Sequence, residues 1–295
     1  MFLAAMTVQA QISIGGSIYG GGNAGDTGGS SKVTVYAGNL HAVFAGARMA
    51  NVGGSSFVHL DGEHASGYIL ADYVYGGNDI AGTIGTSAEI PTELTEVGTA
   101  PGKNKIDASW NAFVRISTKM NGVEEANDAQ KIYVGQLFGG GNGYYDYEPK
   151  TSDVGTVVKN KGTDDVVVSS NDELSSPTLG KAYLEILGGS IVYAFGGGND
   201  ATITNKTVIC LNNPSKVVNS IKDTRVTSVG EGELLTDARF ETMRINTTFS
   251  YPSSDAFQIG RFFGGNNKAD MAIRPAGTCN EVRFVTSMVV VTRAV

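Results

Sequence analysis

The sequence predicts an all-β protein, namely a right-handed parallel β-helix (solenoid) with loop insertions and one short helix. Six times along the 295 residues, an aromatic residue is followed by a cluster of small residues. Glycine is abundant, at 40 residues against 7 prolines, and 41% of residues are apolar, a composition typical of strands joined by tight turns. Short runs with period-two alternation flank the clusters, which indicates strands with one apolar face.

Five copies of the repeated motif consist of an aromatic residue, two or three glycines and an asparagine, and the sixth copy, Phe44-Ala-Gly-Ala47, has decayed. Successive corners of a stacked chain pack directly on one another, which favours residues that lack a Cβ or tolerate positive φ. We therefore predict a structural role for the motif and expect each aromatic residue to point inward and stack on its counterparts. The predicted corner residues are Gly20, Gly21, Gly22, Asn23, Gly76, Gly77, Asn78, Gly139, Gly140, Gly141, Asn142, Gly196, Gly197, Gly198, Asn199, Gly264, Gly265 and Asn266.

The spacing of the motif predicts parallel stacking. Tyr19, Phe44 and Tyr75 are separated by 25 and 31 residues. This is too far for a hairpin, but it suits a chain that returns one strand spacing, about 4.8 Å, higher. Longer gaps further on predict insertions near 86–109, 119–130, 144–179 and 212–255. A short helix is expected at 236–243, because Thr236 is a capping residue and Phe240 precedes Met243 by three positions.

The two ends of the chain differ from the repeat region at 11–275. Residues 1–10 are interpreted as the remnant of a signal peptide, although a basic n-region is missing, and the alternative is a buried first strand. Residues 276–295 are interpreted as a frameshifted or truncated tail. Codons for Ser287 to Thr292 can be written so that another frame encodes Tyr-Gly-Gly-Gly-Asn, and the alternative is that codon freedom alone permits this. We expect an exported protein without a transmembrane segment.

The charge and the cysteine content limit the classes of partner. The net charge is -7 and lysine and arginine do not cluster, which argues against nucleic acids and anionic membrane surfaces as partners. Cys210 and Cys279 are compatible with either a disulfide or reduced thiols. We predict no cofactor.

The recurrent motif, its lead Gly188-Gly-Ser-Ile191 and the stretch from Phe257 to Met271 resemble glycine-rich right-handed parallel β-helix surface proteins of gut Bacteroidetes. The resemblance covers roughly residues 11 to 275 as a repeat signature. Such proteins are described as uncharacterised or adhesin-like. The resemblance therefore implies a scaffold and a surface location, and it supplies no catalytic residue.

Two clusters are candidates for binding. Tyr144, Tyr145 and Tyr147 can stack on sugar rings while Asp146 accepts hydroxyl hydrogen bonds, and the alternative is that these rings pack an insertion against the strands. His59, Asp61 and His64 offer nitrogen and oxygen donors for a divalent metal. Their spacing matches no recognised ligand pattern, so we predict no metal site and expect His59 to lie mid-strand and His64 at a solvated turn.

The sequence predicts an exported, cell-surface scaffold for adhesion or glycan recognition, without catalysis. Its expected partners are glycans or host and cell-surface macromolecules. A polysaccharide lyase or glycoside hydrolase on the same fold is an alternative, but the paired carboxylates and basic signatures that such enzymes need are not evident. A purely structural spacer is the second alternative.

Overall fold

The computed structural model describes residues 12–64, 69–94, 109–118, 132–143, 157–159, 165–167, 177–212, 257–269 and 281–287. The predicted helix at 236–243, the tyrosines at 144–147, Cys279 and the predicted leader at 1–10 lie outside these ranges. Of the predicted tail, the segment 281–287 is described and forms a strand.

The described strands form two parallel six-stranded sheets. The first sheet contains, in spatial order, Ser13–Tyr19 (β1), Gly38–Phe44 (β3), Ile69–Tyr75 (β5), Ile132–Phe138 (β7), Gly189–Phe195 (β11) and Phe257–Phe263 (β13). The second contains Ser31–Val35 (β2), Ser56–Gly62 (β4), Ala112–Thr118 (β6), Thr178–Ile186 (β10), Thr202–Asn212 (β12) and Glu281–Ser287 (β14). Two short strands, Val157–Lys159 (β8) and Asp165–Val167 (β9), form a separate antiparallel pair.

The prediction of a single right-handed parallel β-helix is wrong. The strands are divided between two separate parallel sheets, and no helix occurs in the described ranges. Each strand of the two large sheets pairs only with strands of its own sheet, as β3 does with β1 and β5. The alternation of apolar residues predicts strands and their buried faces, but it does not specify how many sheets those strands form or which sheet each one joins.

The main apolar core lies between the two sheets. Val43 and Val74 of the first sheet pack in one cluster with Val58 and Val114 of the second, and all four are fully buried. β-Branched residues suit this place because their side chains pack well on a pleated surface. Hydroxyl groups add to this packing, because Ser31 of the second sheet donates to the carbonyl of Ala45, directly after β3, at 2.6 Å.

The aromatic residues of the motif lie on the face of the first sheet opposite to this core, which corrects the expectation that they point inward. Val43 belongs to the core, and because neighbouring strand residues point to opposite faces, Phe44 lies on the other side. Six rings form a continuous stack there, with centroid separations of 4.5–5.0 Å and interplanar angles of 3–12°. The stacked rings are Tyr19, Phe44, Tyr75, Phe138, Phe195 and Phe263. Each stacked pair contributes about 1 kcal/mol beyond burial.

The glycine turns that follow these rings are also stacked. Gly139 N donates to the carbonyl of Phe195 at 3.0 Å and Gly140 N to that of Gly197 at 3.0 Å, and the same two bonds recur at each step along the sheet. A Cβ on Gly140 would lie 2.8 Å from the amide nitrogen of Gly198. This position of the motif is glycine in all six copies, including the decayed one, because the next turn leaves no space for a side chain.

Candidate functional site

The outer faces of the two sheets, meaning the faces that point away from the shared core, carry aromatic side chains such as Phe44 and Phe57. The row of turns lies along one side of the first sheet. The candidate residues from the sequence that the structure describes fall into two places, the turns and the outer face of the second sheet.

The asparagines of the turns have two different roles. Asn142, Asn199 and Asn267 form a side-chain ladder, in which each Nδ2 donates to the previous residue: Asn267 to Asn199 at 2.9 Å, Asn199 to Asn142 at 3.0 Å, and Asn142 to Asp79 at 2.9 Å. Such ladders of side-chain amides are a known feature of stacked parallel strands. Asp79 and Asn267 were not among the predicted corner residues.

Asn78 and Asn266 lie one position earlier in the turn than the ladder residues. Asn78 Oδ1 accepts from the backbone N–H of Ala47 at 2.7 Å, and Asn266 Oδ1 accepts from Gly198 N at 2.8 Å. Asn78 Nδ2 also donates to the carbonyl of Ala50 at 2.9 Å. The sequence contains the signal for this difference, because both asparagines follow two glycines and occupy the place of the third.

Tyr19 and Asp79 join the aromatic stack to the ladder. The Tyr19 hydroxyl donates to Asp79 Oδ2 at 2.8 Å. Burial, followed by the negative charge of Asp79, raises the pKa of Tyr19 above its ordinary value. Tyr19 is therefore a neutral hydrogen-bond donor over the physiological pH range.

On the outer face of the second sheet, the predicted metal candidates separate into two groups. His59 Nε2 lies 2.8 Å from Ser117 Oγ, whereas Asp61 Oδ2 lies 2.9 Å from His64 Nδ1. The backbone N–H groups of Glu63 and His64 both donate to Asp61 Oδ1 at 3.1 Å. In the part of the chain that the structure describes, no group of three or more His, Cys, Asp or Glu side chains is arranged to hold a metal ion.

Two titratable groups in this region have shifted pKa values. Burial lowers the pKa of His59 to about 4, so that its imidazole is neutral near pH 7. Burial raises the pKa of Asp61, but hydrogen bonds from the His64 side chain and backbone outweigh this and hold that pKa below its ordinary value. Asp61 is therefore a carboxylate near pH 7.

Beside His59 lies a buried ion pair. In the register of the sheet, His59 neighbours Arg115, which in turn neighbours Glu185. Arg115 Nη1 donates to Glu185 Oε2, and its Nη2 lies 3.4 Å from Glu63 Oε1. Arg115 and Glu185 are both buried. Buried charges persist only where they are paired, so this network maintains the structure of the outer face.

The His59–Ser117 pair has the spacing of a general base and a nucleophile. Ser117 is 0% exposed and His59 is also buried. A substrate cannot reach a hydroxyl in that position, so the contact is better explained as a satisfied buried hydrogen bond.

The outer face of the first sheet carries a more accessible cluster that sequence reasoning missed. We define the Tyr73 patch as His41, Asp72, Tyr73 and Gln136. His41 Nδ1 lies 3.0 Å from Asp72 Oδ2, and its ring meets Tyr73 edge to face at 5.5 Å. Gln136 pairs with Tyr73 in the sheet register. The His41 side chain is 38% exposed, and Tyr73 and Gln136 are half-buried.

The residue types of the Tyr73 patch match the chemistry of sugar recognition. The partly exposed Tyr73 ring supplies a stacking surface, and the His41 imidazole and the Gln136 amide supply hydrogen-bonding groups, whereas the buried Asp72 carboxylate contacts His41 and orients it. The sequence signal for this patch was an aspartate inside an otherwise apolar strand, Ile69–Tyr75, with a tyrosine directly after it. The predicted glycan residues at 144–147 lie outside the described residues.

Comparison with known proteins found no family model, no curated protein and no solved structure that matches this chain. The stated resemblance to glycine-rich surface proteins therefore stays a prediction. A long apolar helix of the kind that crosses a bilayer does not occur in the described segments.

Proposed function

We propose that this protein is an exported surface scaffold for adhesion and glycan recognition, without catalytic activity. The observation that carries the proposal is the position of the Tyr73 patch on a stiff support. Tyr73 stacks at 6.4 Å on Tyr75, which is itself a member of the six-ring stack. A binding surface on a rigid element loses little conformational entropy when a ligand binds.

The rigidity of that support follows from its repeated contacts. Parallel hydrogen bonding, ring stacking and glycine turns recur at each step of the first sheet. The buried core between the sheets fixes the opposite face. Elements built in this way present extended surfaces, and surface residues and insertions then provide specificity.

A glycan array tests the proposal. We expect wild-type protein to bind a defined set of glycans, and Tyr73→Ala to lose most of that binding because the stacking surface is removed. Tyr36→Ala is the matched control, since Tyr36 is an exposed tyrosine that follows β2 of the second sheet. Thermal unfolding of both variants shows whether the fold is retained.

Three results would contradict the proposal in different ways. Wild-type protein that binds no glycan would favour a structural spacer. Equal loss of binding in Tyr73→Ala and Tyr36→Ala would show that the Tyr73 patch is not the glycan-binding surface. Release of reducing ends or unsaturated products from a polysaccharide would favour the enzyme alternative.

A further inference from the structure

The glycine turn after β7 contains a chemically labile pair of residues. Asn142 is followed by Gly143, whereas the other two asparagines of the ladder, Asn199 and Asn267, are followed by aspartate and lysine. Asparagine is a thermolabile residue, and it deamidates most readily before glycine, which has no side chain to shield its backbone nitrogen. The ladder therefore contains one position at which its own chemistry can break it.

Deamidation at this pair begins when the backbone nitrogen of Gly143 attacks Cγ of the Asn142 side chain. The new N–Cγ bond closes a succinimide ring, and the Cγ–Nδ2 bond breaks. Nδ2 leaves as ammonia together with the proton of the Gly143 N–H. Water then opens the ring at either carbonyl and gives aspartate or isoaspartate. The reaction requires a backbone nitrogen that can approach Cγ and a side-chain amide that can rotate.

Both reacting groups are held in place in the folded turn. Gly143 N donates to the carbonyl of Asp79 at 2.7 Å. Asn142 Nδ2 donates to Asp79 Oδ1 at 2.9 Å. Asn142 Oδ1 accepts from Asn199 Nδ2 at 3.0 Å and from the Tyr75 hydroxyl at 3.2 Å. Because these bonds fix the nitrogen and both ends of the amide, the attack requires a local opening of the turn.

The structure also explains why position 143 requires glycine, although glycine makes the preceding asparagine labile. Gly143 has a φ of +68°, in the left-handed region that other residues rarely adopt. A Cβ at this position would lie 2.6 Å from the carbonyl oxygen of Asp200 in the next turn. A bulkier residue, which would slow the attack, does not fit there.

The products of deamidation do not fit the ladder. Asp79 is buried, and the Asn142 amide donates to its carboxylate. An aspartate at 142 would place two like charges within hydrogen-bond distance in a site of low dielectric constant. Isoaspartate in addition inserts a methylene group into the backbone, which displaces Gly143 N from the Asp79 carbonyl. Either product should oppose closure of the turn.

We propose that Asn142–Gly143 is a latent deamidation site. It is protected while the stacked turns are closed, and it reacts with loss of ammonia when this turn opens. The modification then prevents the turn from closing again, so that a transient opening becomes permanent. This inference is independent of the proposed glycan recognition, because the site lies in the row of turns and not in the Tyr73 patch.

Peptide mapping by mass spectrometry tests the protection. Wild-type protein is incubated at mildly alkaline pH, in buffer and in guanidinium chloride, and the deamidated fraction at Asn142 is followed over time. We expect Asn142 to react at least about tenfold more slowly in buffer than in denaturant. The second Asn-Gly pair of the sequence, Asn121–Gly122, is the chemical control, since both pairs should react at similar rates in denaturant.

A ladder variant tests whether the hydrogen bonds provide the protection. Asn199→Ala removes a donor to Asn142 Oδ1, and it is expected to raise the rate in buffer by about fivefold, the value of one net hydrogen bond. Asn23→Ala is the matched control, because Asn23 also follows three glycines but lies in the turn after β1, two turns away from Asn142. Its rate at Asn142 should equal that of wild type.

Asn142→Asp tests the consequence of the modification without waiting for the reaction. We expect it to lower the midpoint of thermal unfolding by at least about 2 °C. The double variant Asn142→Asp with Asp79→Asn exchanges the amide and the carboxylate, so that a donor again faces an acceptor. It should recover most of the loss.

The proposal is overturned if Asn142 deamidates as fast in buffer as in denaturant, because the fold then gives no protection. It is also overturned if Asn121 reacts in denaturant and Asn142 does not. An Asn142→Asp variant as stable as wild type would overturn it too, since the modified turn could then close normally. None of these results bears on glycan binding.

Discussion

The outer faces of the two sheets are covered by different kinds of side chain. The first sheet covers its outer face with a stack of six aromatic rings from one repeated motif position. The second sheet buries a row of unlike polar residues that includes His59, Arg115 and Glu185. On the first sheet, every ring stacks on another ring from the same motif position. On the second sheet, each polar residue depends on one specific neighbouring side chain. Single substitutions should therefore have distinct signatures on the two faces.

The largest effect is expected from breaking the buried ion pair. Arg115→Ala leaves Glu185 buried and uncompensated, which should lower the free energy of unfolding by about 3–5 kcal/mol. The matched double variant, Arg115→Met with Glu185→Leu, should recover most of that loss because apolar residues of similar volume can replace a buried pair. Chemical denaturation measures both values. A double variant no more stable than Arg115→Ala would show that the charge pair is not the cause.

The second largest effect is expected when the free energy of unfolding is measured as a function of pH. Because burial lowers the pKa of His59 from 6.5 to about 4, the unfolded chain binds a proton between these pH values and the folded chain does not. Stability should therefore fall as the pH decreases from 6.5 to 4, by on the order of 3 kcal/mol. His59→Gln keeps a donor for Ser117 but does not titrate, so its stability curve should be flatter in this range. Equal slopes for both proteins would contradict the assignment.

A smaller effect is expected in the stacked turns. Gly140→Ala places a Cβ 2.8 Å from Gly198 N, which forces the turns apart and should cost about 1–3 kcal/mol. Gly16→Ala in β1 is the matched control, because a Cβ there meets nothing within 4 Å. Thermal unfolding compares the two. If both glycines tolerate alanine equally, the turns are not in direct contact.

The smallest effect is expected for the exposed ion pair of the second sheet. Lys32 and Glu93 are in contact on the surface, and the Lys32 side chain is more than half exposed. Lys32→Ala should change the free energy of unfolding by less than about 1 kcal/mol, since solvent screens exposed pairs. Arg115→Ala is measured in the same denaturation experiment. The difference between the two losses in free energy of unfolding gives the effect of burial on the contribution of an ion pair. A loss as large as that of Arg115→Ala would contradict the account.

The contrast between the faces also explains what the sequence could predict. The aromatic and glycine positions recur, so their stacking and the parallel direction of the strands follow from spacing alone. The side to which the rings point was predicted wrongly, because alternation defines two faces without saying which one meets the second sheet. The prediction gave Asn78, Asn266 and Asn142 the same role because all three are asparagines that follow glycines. Asn78 and Asn266 follow two glycines and Asn142 follows three, so they occupy different positions of the turn.

The polar contacts were beyond sequence reasoning for a different reason. Arg115 and Glu185 are 70 residues apart and meet because β6 and β10 are adjacent, although three strands intervene along the chain. His41 and Asp72 meet in the same way across β3 and β5. Such contacts depend on the sheet order, which a single sequence with long insertions does not define.

The strands of the first sheet are stacked in register, one step at a time. Ser17 and Arg261 occupy the same row at opposite ends of that sheet, five strand spacings apart. Spin labels at these two positions, with Cys210 and Cys279 replaced by serine, should show a narrow distance distribution centred at about 24 Å. A broad distribution, or a separation far from that value, would contradict the register on which the aromatic stack and both proposals depend.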